Sequence, residues 1–397
     1  MGKLVNVAEV DALLASEGRD WGTVEVCLAE AAGRILGEPL HAPFPFPSFD
    51  RAMMDGVAVS RASLEAGRRS WRLVGHRAAG AAERPPFQQE TEALGVATGA
   101  AVPAGLDQVL PKEGLSQEGE KVRWTGAIPP LSYIQKMGSD AVAGERILPA
   151  GSLLGSREMA AVASCGRAEV VVKRRPRLAL LGTGKELVRP GQAKPAEAIY
   201  ASNGPALGAA LWRAGVPSQE LPTVEDAPAA VEGALRAALD EAEVLVVTGA
   251  VSVGPADYVA PLLTELLGEP LFHGVRQRPG KPMGVWRQGE SGCFVFGLPG
   301  NPQSALVGLH RHVLPWIHRQ MGWVERPEER PLTAAFENPS DFTRFLPVSR
   351  EGAGVRPEPA GNSGEVMRLL RSEGFLELPP EARTLEAGES FPFRPWL

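Results

Sequence analysis

Several residues in this chain combine reactive side chains with glycine or proline neighbours that fix the backbone close to a ligand. Asp55 precedes Gly56, Thr98 precedes Gly99, and Asp140 closes the run Gly138, Ser139, Asp140. Glu186 follows Thr183, Gly184 and Lys185, Asp226 stands just before Pro228, and Asp257 follows Gly254, Pro255 and Ala256. A loop with three cations, Arg276, Arg278 and Lys281, is interrupted by Pro279, Gly280 and Pro282. Planar guanidinium forks and a point-like ammonium on a restrained backbone suit an oxyanion or phosphate. Carboxylates facing such cations suit a Mg²⁺ ion between phosphates, because Mg²⁺ takes oxygen ligands and keeps several waters. Each residue also has a purely structural reading. Asp55, Thr98 and Asp140 are ordinary turn residues, Asp226 and Asp257 complement helix caps and dipoles, and a basic loop can simply be solvated.

The stretch Gly297, Leu298, Pro299, Gly300, Asn301, Pro302 adds a second kind of chemistry. It follows an apolar run and precedes a helical pattern. Two glycines are expected to turn the backbone tightly, Asn301 to act as N-cap and Pro302 as the first helical residue. That arrangement presents free N–H groups to an anion.

The elements that must position these groups are clearest between Arg177 and Gly322. Leu178 to Leu181 is a short apolar strand, Asn203 is expected to cap a helix carrying Leu207, Ala210, Leu211 and Ala214, and Val216 to Leu221 reads as a strand. Val231, Leu235, Ala238 and Leu239 line another helix, and Val244 to Thr248 is a β-branched run of the kind buried on both faces. Strand and helix alternate through Phe294 to Val313, which predicts a doubly wound parallel α/β sheet. Ligands gather outside the carboxyl ends of such strands. Four polar loops fall there, at 182–186, 223–226, 248–257 and 297–302.

Around this segment the pattern changes. Val7, Val10 and Leu14 recur on one face of a short helix started by Asn6 and Glu9, and a second helix is expected from Val26 to Ile35. Four prolines between Pro39 and Pro47 mark a boundary. Short β runs at Trp71–Val74, Ala93–Thr98, Gln108–Pro111 and Val122–Trp124 predict a β-rich piece, helical character returns from Glu145 to Arg167, and the tail after Pro331 reads as a small β-domain.

Composition narrows the function classes. With 397 residues, 44% hydrophobic and 22% charged, the chain has the makeup of a multidomain globular protein. A net charge of -6 gives no global pull toward nucleic acid or membrane, so neither is an expected partner. Cys27, Cys165 and Cys293 are far apart, which argues against a disulfide framework or a structural zinc site. No apolar run reaches the ~20 residues of a membrane span and no signal-peptide core is present, so a cytoplasmic location is expected. Neither GxGxxG nor a GxxxxGK[ST] phosphate loop occurs.

Taken in order, the motifs resemble the MoeA family of molybdopterin molybdenumtransferases. The likeness is carried by Glu30 to Leu36, Phe49 to Val59, Ala97 to Ala100 with Val102 and Pro103, Gly138 to Asp140, Thr183 to Leu187, Ser202 and Asn203, Thr248 to Tyr258, Pro279 to Pro282, and Gly297 to Pro302. The resemblance implies four domains: a discontinuous helical domain at 1–42 and 141–174, an inserted β-rich domain at 43–140, a molybdopterin-binding-like α/β domain at 175–322 and a C-terminal β-barrel-like domain at 323–397. It implies a homodimer that joins molybdate to the dithiolene of adenylylated molybdopterin, with Mg²⁺ assisting and AMP leaving. Asp55, Thr98, Asp140, Glu186, Asp226 and Asp257 would be catalytic, and Glu186, Asp226 and Asp257 would hold the metal. Ser202, Asn203, Gly249, Ser252, Gly254, Arg278, Lys281, Gly297, Pro299, Gly300, Asn301 and Pro302 would bind substrate, with Arg344 and Ser363 from the C-terminal domain. A non-catalytic scaffold on the same fold, or the adenylyltransferase of the preceding step, are the competing expectations. The chain departs from the family pattern at Arg51 and Ala52, and has Val57 for a usual Tyr, Lys185 for Asp, Ala250 for Gly and Arg278 for Lys.

Overall fold

A computed structural model describes residues 4–81, 88–225, 227–251, 258–289, 292–359 and 361–397. The chain divides into two compact units, one of Met1–Gly37, Gly151–Gly155 and Glu169–Leu397, the other of Glu38–Ala150 and Ser156–Ala168.

The first unit is built on a six-stranded sheet in the order Ser218–Glu220, Leu178–Gly182, Val244–Thr248, Phe294–Leu298, Gly284–Arg287, Phe272–His273. The first four strands run parallel and the last two are antiparallel, so the sheet is mixed at one end. The expected doubly wound α/β sheet is present with that addition. Side-chain alternation explains why it is stable. Leu178, Leu180, Val244 and Val246 enter the core that also holds Val10, Leu207, Leu211 and Trp316. Ala179, Leu181, Leu245 and Val247 enter the opposite core with Val231, Leu235 and Leu263. Both faces are therefore covered by helices, which is why the strand Val244–Thr248 reads as an unbroken apolar run. Burying each of its aliphatic side chains contributes roughly 2 kcal/mol.

The helix Val7–Ser16 starts with the expected reciprocal cap between Asn6 and Glu9. The second expected helix is mostly absent. Thr23–Cys27 is a strand paired with Glu169–Lys173, and only Leu28–Ala31 is helical. Alternating Thr23, Val24, Glu25 and Val26 favours a pleated backbone over a helix. A buried arginine ties distant segments together: Arg311 makes paired bonds of 2.7 Å to both carboxylate oxygens of Asp11, and of 2.7 and 3.0 Å to Glu377. It stands in a π-helical turn, Leu309–Val313, between the helices Pro302–Gly308 and Leu314–Gln320.

The tail forms a second sheet, ordered Gln277–Arg278, Thr343–Glu351, Gly374–Leu378, Ser390–Pro395, Glu328–Pro331, with Gly354–Pro357 beside Thr343–Glu351. Its first strand comes from the basic loop, which is thus a sheet edge rather than a free loop.

The second unit carries a six-stranded sheet in the order Gln108–Pro111, Gly56–Val59, Glu92–Val96, Ser70–Arg77, Lys121–Trp124, Leu115–Glu118. In the region read as helical from Glu145, Arg146–Leu148 is a strand paired with Leu40–His41, and the helix is confined to Ser156–Ser164.

Candidate functional site

At the carboxyl ends of Leu178–Gly182, Val244–Thr248 and Phe294–Leu298 the first unit opens into a cleft of about 680 Å³. Its walls include Gly182, Thr183, Glu186, Ser202, Asn203, Thr248, Gly249, Ala250 and the turn Pro299 to Pro302. This is the edge at which the topology of an open parallel sheet leaves a crevice.

Close backbone approach shapes it. A Cβ on Gly249 would lie 2.3 Å from the Thr183 carbonyl oxygen, and the residue has φ +95°, so only glycine fits. Ala250, next in the chain, has φ +48°. An L-residue held there costs on the order of 1 kcal/mol, which gives the usual glycine at this position a physical reason.

Side-chain amides then tie the loops together. Asn203 Nδ2 donates to the Gly300 carbonyl at 2.7 Å, and Asn301 Nδ2 donates to Ser363 Oγ at 2.9 Å. The Gln303 amide donates to the Ser363 carbonyl at 3.2 Å. One expectation is corrected: Ser202, not Asn203, occupies the N-cap of the helix Asn203–Arg213. Asn301 is the N-cap of Pro302–Gly308 and Pro302 its first residue, as expected, although the Asn301 side chain makes no capping bond. Gly297 is also not part of the turn: it lies within Phe294–Leu298, where a Cβ would press at 3.0 Å on Val251 and 3.1 Å on Trp286.

The cations lie outside the cleft wall. No lysine or arginine is among its described lining residues, although Pro282, which follows Lys281, is. Arg278 pairs in register with Arg344 across the parallel strands Gln277–Arg278 and Thr343–Glu351. Arg278 and Arg276 both stand over the Phe342 ring, at 5.6 and 4.9 Å, and Arg344 stands 5.1 Å over Phe336. Arg276 is paired with Asp341 at 2.9 Å, whereas Arg278 and Arg344 have no acid partner among the described residues. Burial, and then the neighbouring Arg278, lower the pKa of Arg344. Two guanidiniums without an acid partner on one edge have the chemistry that suits an oxyanion.

In the second unit the structure brings Asp55 and Thr98 together. The Thr98 amide and hydroxyl donate to Asp55 Oδ1 at 2.8 and 2.9 Å, and Lys112 Nζ stands 3.5 Å from Oδ2. The Thr98 amide bond is the main cause, followed by its hydroxyl, holding the exposed Asp55 carboxyl below its ordinary pKa. Asp140 lies on a separate turn, its amide donating to the Phe46 carbonyl, and has no side-chain bond to Asp55 or Thr98. Val57, where the family pattern has Tyr, is buried in this unit's core with Trp71 and Leu110.

Asp226, Ser252, Gly254 and Asp257 lie outside the described residues. Among the described residues no group of three or more His, Cys, Asp or Glu is close enough to hold a metal. The cleft's donors are nonetheless all oxygen. Two exposed carboxylates, Glu186 and Glu220, and the hydroxyls of Thr183, Thr223 and Thr248 line it, and Thr183 Oγ1 is buried without a hydrogen-bond partner. An oxygen-only set without His or Cys fits Mg²⁺ rather than a softer ion. Glu220 and Tyr200 were not singled out by sequence, and Thr183 only as part of a motif. The position of Glu220 at the end of an expected strand was the available signal.

Comparison with known proteins follows this geometry. Residues 5–166 match a family model described as MoeA N-terminal region (domain I and II), residues 179–319 one described as probable molybdopterin binding domain, and residues 329–396 one described as MoeA C-terminal region (domain IV). A molybdopterin molybdenumtransferase from Synechocystis sp. is 32% identical over 99% of this chain and 100% of its own length. One from Haemophilus influenzae is 30% identical over 93% of each chain. A crystal structure of the molybdopterin biosynthesis MoeA protein from Pyrococcus horikosii has 29% identity and a TM-score of 0.80 over 100% of both chains.

Proposed function

The chain belongs to the MoeA family, and from that premise we propose that it is a molybdopterin molybdenumtransferase acting in molybdenum cofactor biosynthesis. Its substrates in this reading are adenylylated molybdopterin and molybdate, and its products the molybdenum-bearing dithiolene and AMP. The observation that carries the reading is the cleft at the carboxyl edge of the parallel sheet, where Gly249 lets two loops meet and free oxygen donors face inward.

Each residue then has a task that its setting supports. The Asn203 to Gly300 and Asn301 to Ser363 bonds hold the loops rigid, so the substrate meets preorganised groups. Arg278 and Arg344, with Lys281 nearby in sequence, bind an oxyanion of molybdate or of the phosphates. Asp55, kept charged by Thr98, serves as a fixed negative group or proton acceptor in the second unit. Glu186 would hold Mg²⁺, together with Asp226 and Asp257. When bound, that ion would neutralise charge on the adenylyl phosphates. The homodimer, the cytoplasmic setting and the four-domain division at 42, 140, 174 and 322 belong to the same proposal.

The test is direct. Purified chain supplied with adenylylated molybdopterin should release AMP when both molybdate and Mg²⁺ are present, and product should activate an apo-molybdoenzyme. Absence of AMP above a no-protein control, with the chain folded, overturns the reading. A scaffold would give that result.

A further inference from the structure

One carboxylate in the cleft has no task in the account above. Glu220 ends the edge strand Ser218–Glu220 and lines the cleft, yet its carboxylate has no hydrogen-bond or ion-pair partner among the described residues. Its side chain lies flat over Gly204 in the first turn of the helix Asn203–Arg213: a Cβ on Gly204 would stand 2.2 Å from Glu220 Oε1, 2.6 Å from Cδ and 3.2 Å from Cγ. The missing side chain of Gly204 is therefore what leaves room for this rotamer. No lysine or arginine among the described lining residues competes for the carboxylate. Tyr200, the one aromatic among those residues, is half-exposed on the same cleft, with its hydroxyl engaged by the Gln192 carbonyl at 3.2 Å. The half-exposed ring is thus anchored at its tip by its own chain.

A carboxylate accepts hydrogen bonds and cannot donate them, and it accepts two parallel ones best. We propose that Glu220 is a specificity-determining residue that reads the donor edge of a 2-amino-4-oxopyrimidine ring, with Tyr200 stacking on the ring. The inference rests on the functional reading above, in which the substrate is a pterin: its 2-amino group and N3–H form two adjacent donors. The two carboxylate oxygens accept one each, and a planar heterocycle offers Tyr200 a face.

Pterin and lumazine, which carries an oxo group in place of the 2-amino group, separate this from other roles. Both are used as probes of the full chain, by fluorescence and as competitors of AMP release. The wild type should bind pterin about 10- to 100-fold more tightly than lumazine, the usual worth of a charge-assisted bond. Glu220→Gln should bring that ratio close to one. Gly204→Ala, which keeps the charge and favours the helix, should displace the carboxylate and reduce the ratio in the same way.

An unchanged ratio in both variants overturns the assignment, as does a wild type without pterin preference. If Glu220→Gln raises the Mg²⁺ requirement and leaves the ratio alone, the carboxylate serves the cation and the inference fails. If Glu220 merely complemented the helix N-terminus, its loss would lower the melting temperature and leave the ratio unmoved. Failure of the functional reading shows separately, as absent AMP release in a wild type that still discriminates pterin from lumazine.

Discussion

Asp55 in the β-rich unit and the carboxylates of the parallel-sheet cleft are all exposed acids, but the protein treats them differently. Asp55 has one oxygen occupied by two donors of Thr98 and the other facing Lys112. Glu186 and Glu220 have no such partners among the described residues. A carboxylate already satisfied by its own chain is a fixed charge, set before any ligand arrives. One left unsatisfied is a receptor, and its bonds are completed from outside. The same carboxylate group is thus satisfied in one region and left unsatisfied in the other, and only the surrounding donors tell them apart.

The largest effect that can probe this contrast comes from filling the close approach of Gly249 to Thr183 in the cleft wall. Gly249→Val should abolish AMP release, because its Cβ would meet the Thr183 backbone at 2.3 Å and the residue would be held at positive φ. It should also destabilise the chain by more than ~1 kcal/mol, read from denaturant melts. Wild-type activity in this variant would mean that the chemistry does not use the cleft.

An intermediate effect should separate the two carboxylate settings. Glu186→Gln is expected to raise the Mg²⁺ concentration needed for half-maximal AMP release by about 10- to 100-fold, the scale seen when a metal site loses a supporting group. Asp55→Asn should lower the maximal rate at every Mg²⁺ concentration without moving that midpoint. If both variants shift the Mg²⁺ midpoint alike, the distinction between fixed charge and receptor fails.

The smallest effect tests how Asp55 is held. Its folded pKa is depressed, so the stabilisation it receives is fully present above the unfolded value of about 3.9 and is lost as pH falls through the folded one. Thr98→Val removes the hydroxyl donor at 2.9 Å and leaves the amide donor at 2.8 Å. The Asp55 pKa should therefore rise part of the way toward its ordinary value. Carboxyl NMR titration of the two proteins measures this, and a pKa unmoved by the loss of the hydroxyl would show that the amide alone sets it.

Much of the scaffold was legible from residue patterns. The unbroken β-branched run Val244 to Thr248 announced a strand covered on both faces, Leu178 to Leu181 announced a short apolar strand, and the Asn6 and Glu9 pair announced a helix start; all are local signals. The readings that failed are those where a distant partner outcompeted a local preference. Asn203 looked like a helix cap, but Ser202 takes that position and the Asn203 side chain reaches Gly300. Gly297 looked like a turn glycine, but Trp286 and Val251 fill the space beside it within a strand.

By itself the sequence determined the order of elements, the period of their apolar faces and the motifs that carry the family resemblance, because these depend on neighbours a few residues apart. Tertiary structure alone decided which acids are satisfied and which are free, that Arg278 stands beside Arg344 in a sheet, and that Glu220 lies over Gly204 in the cleft. Those facts depend on side chains brought together from chain segments well beyond the reach of a local sequence pattern. No spacing along the chain encodes a hydrogen-bond partner that only folding supplies.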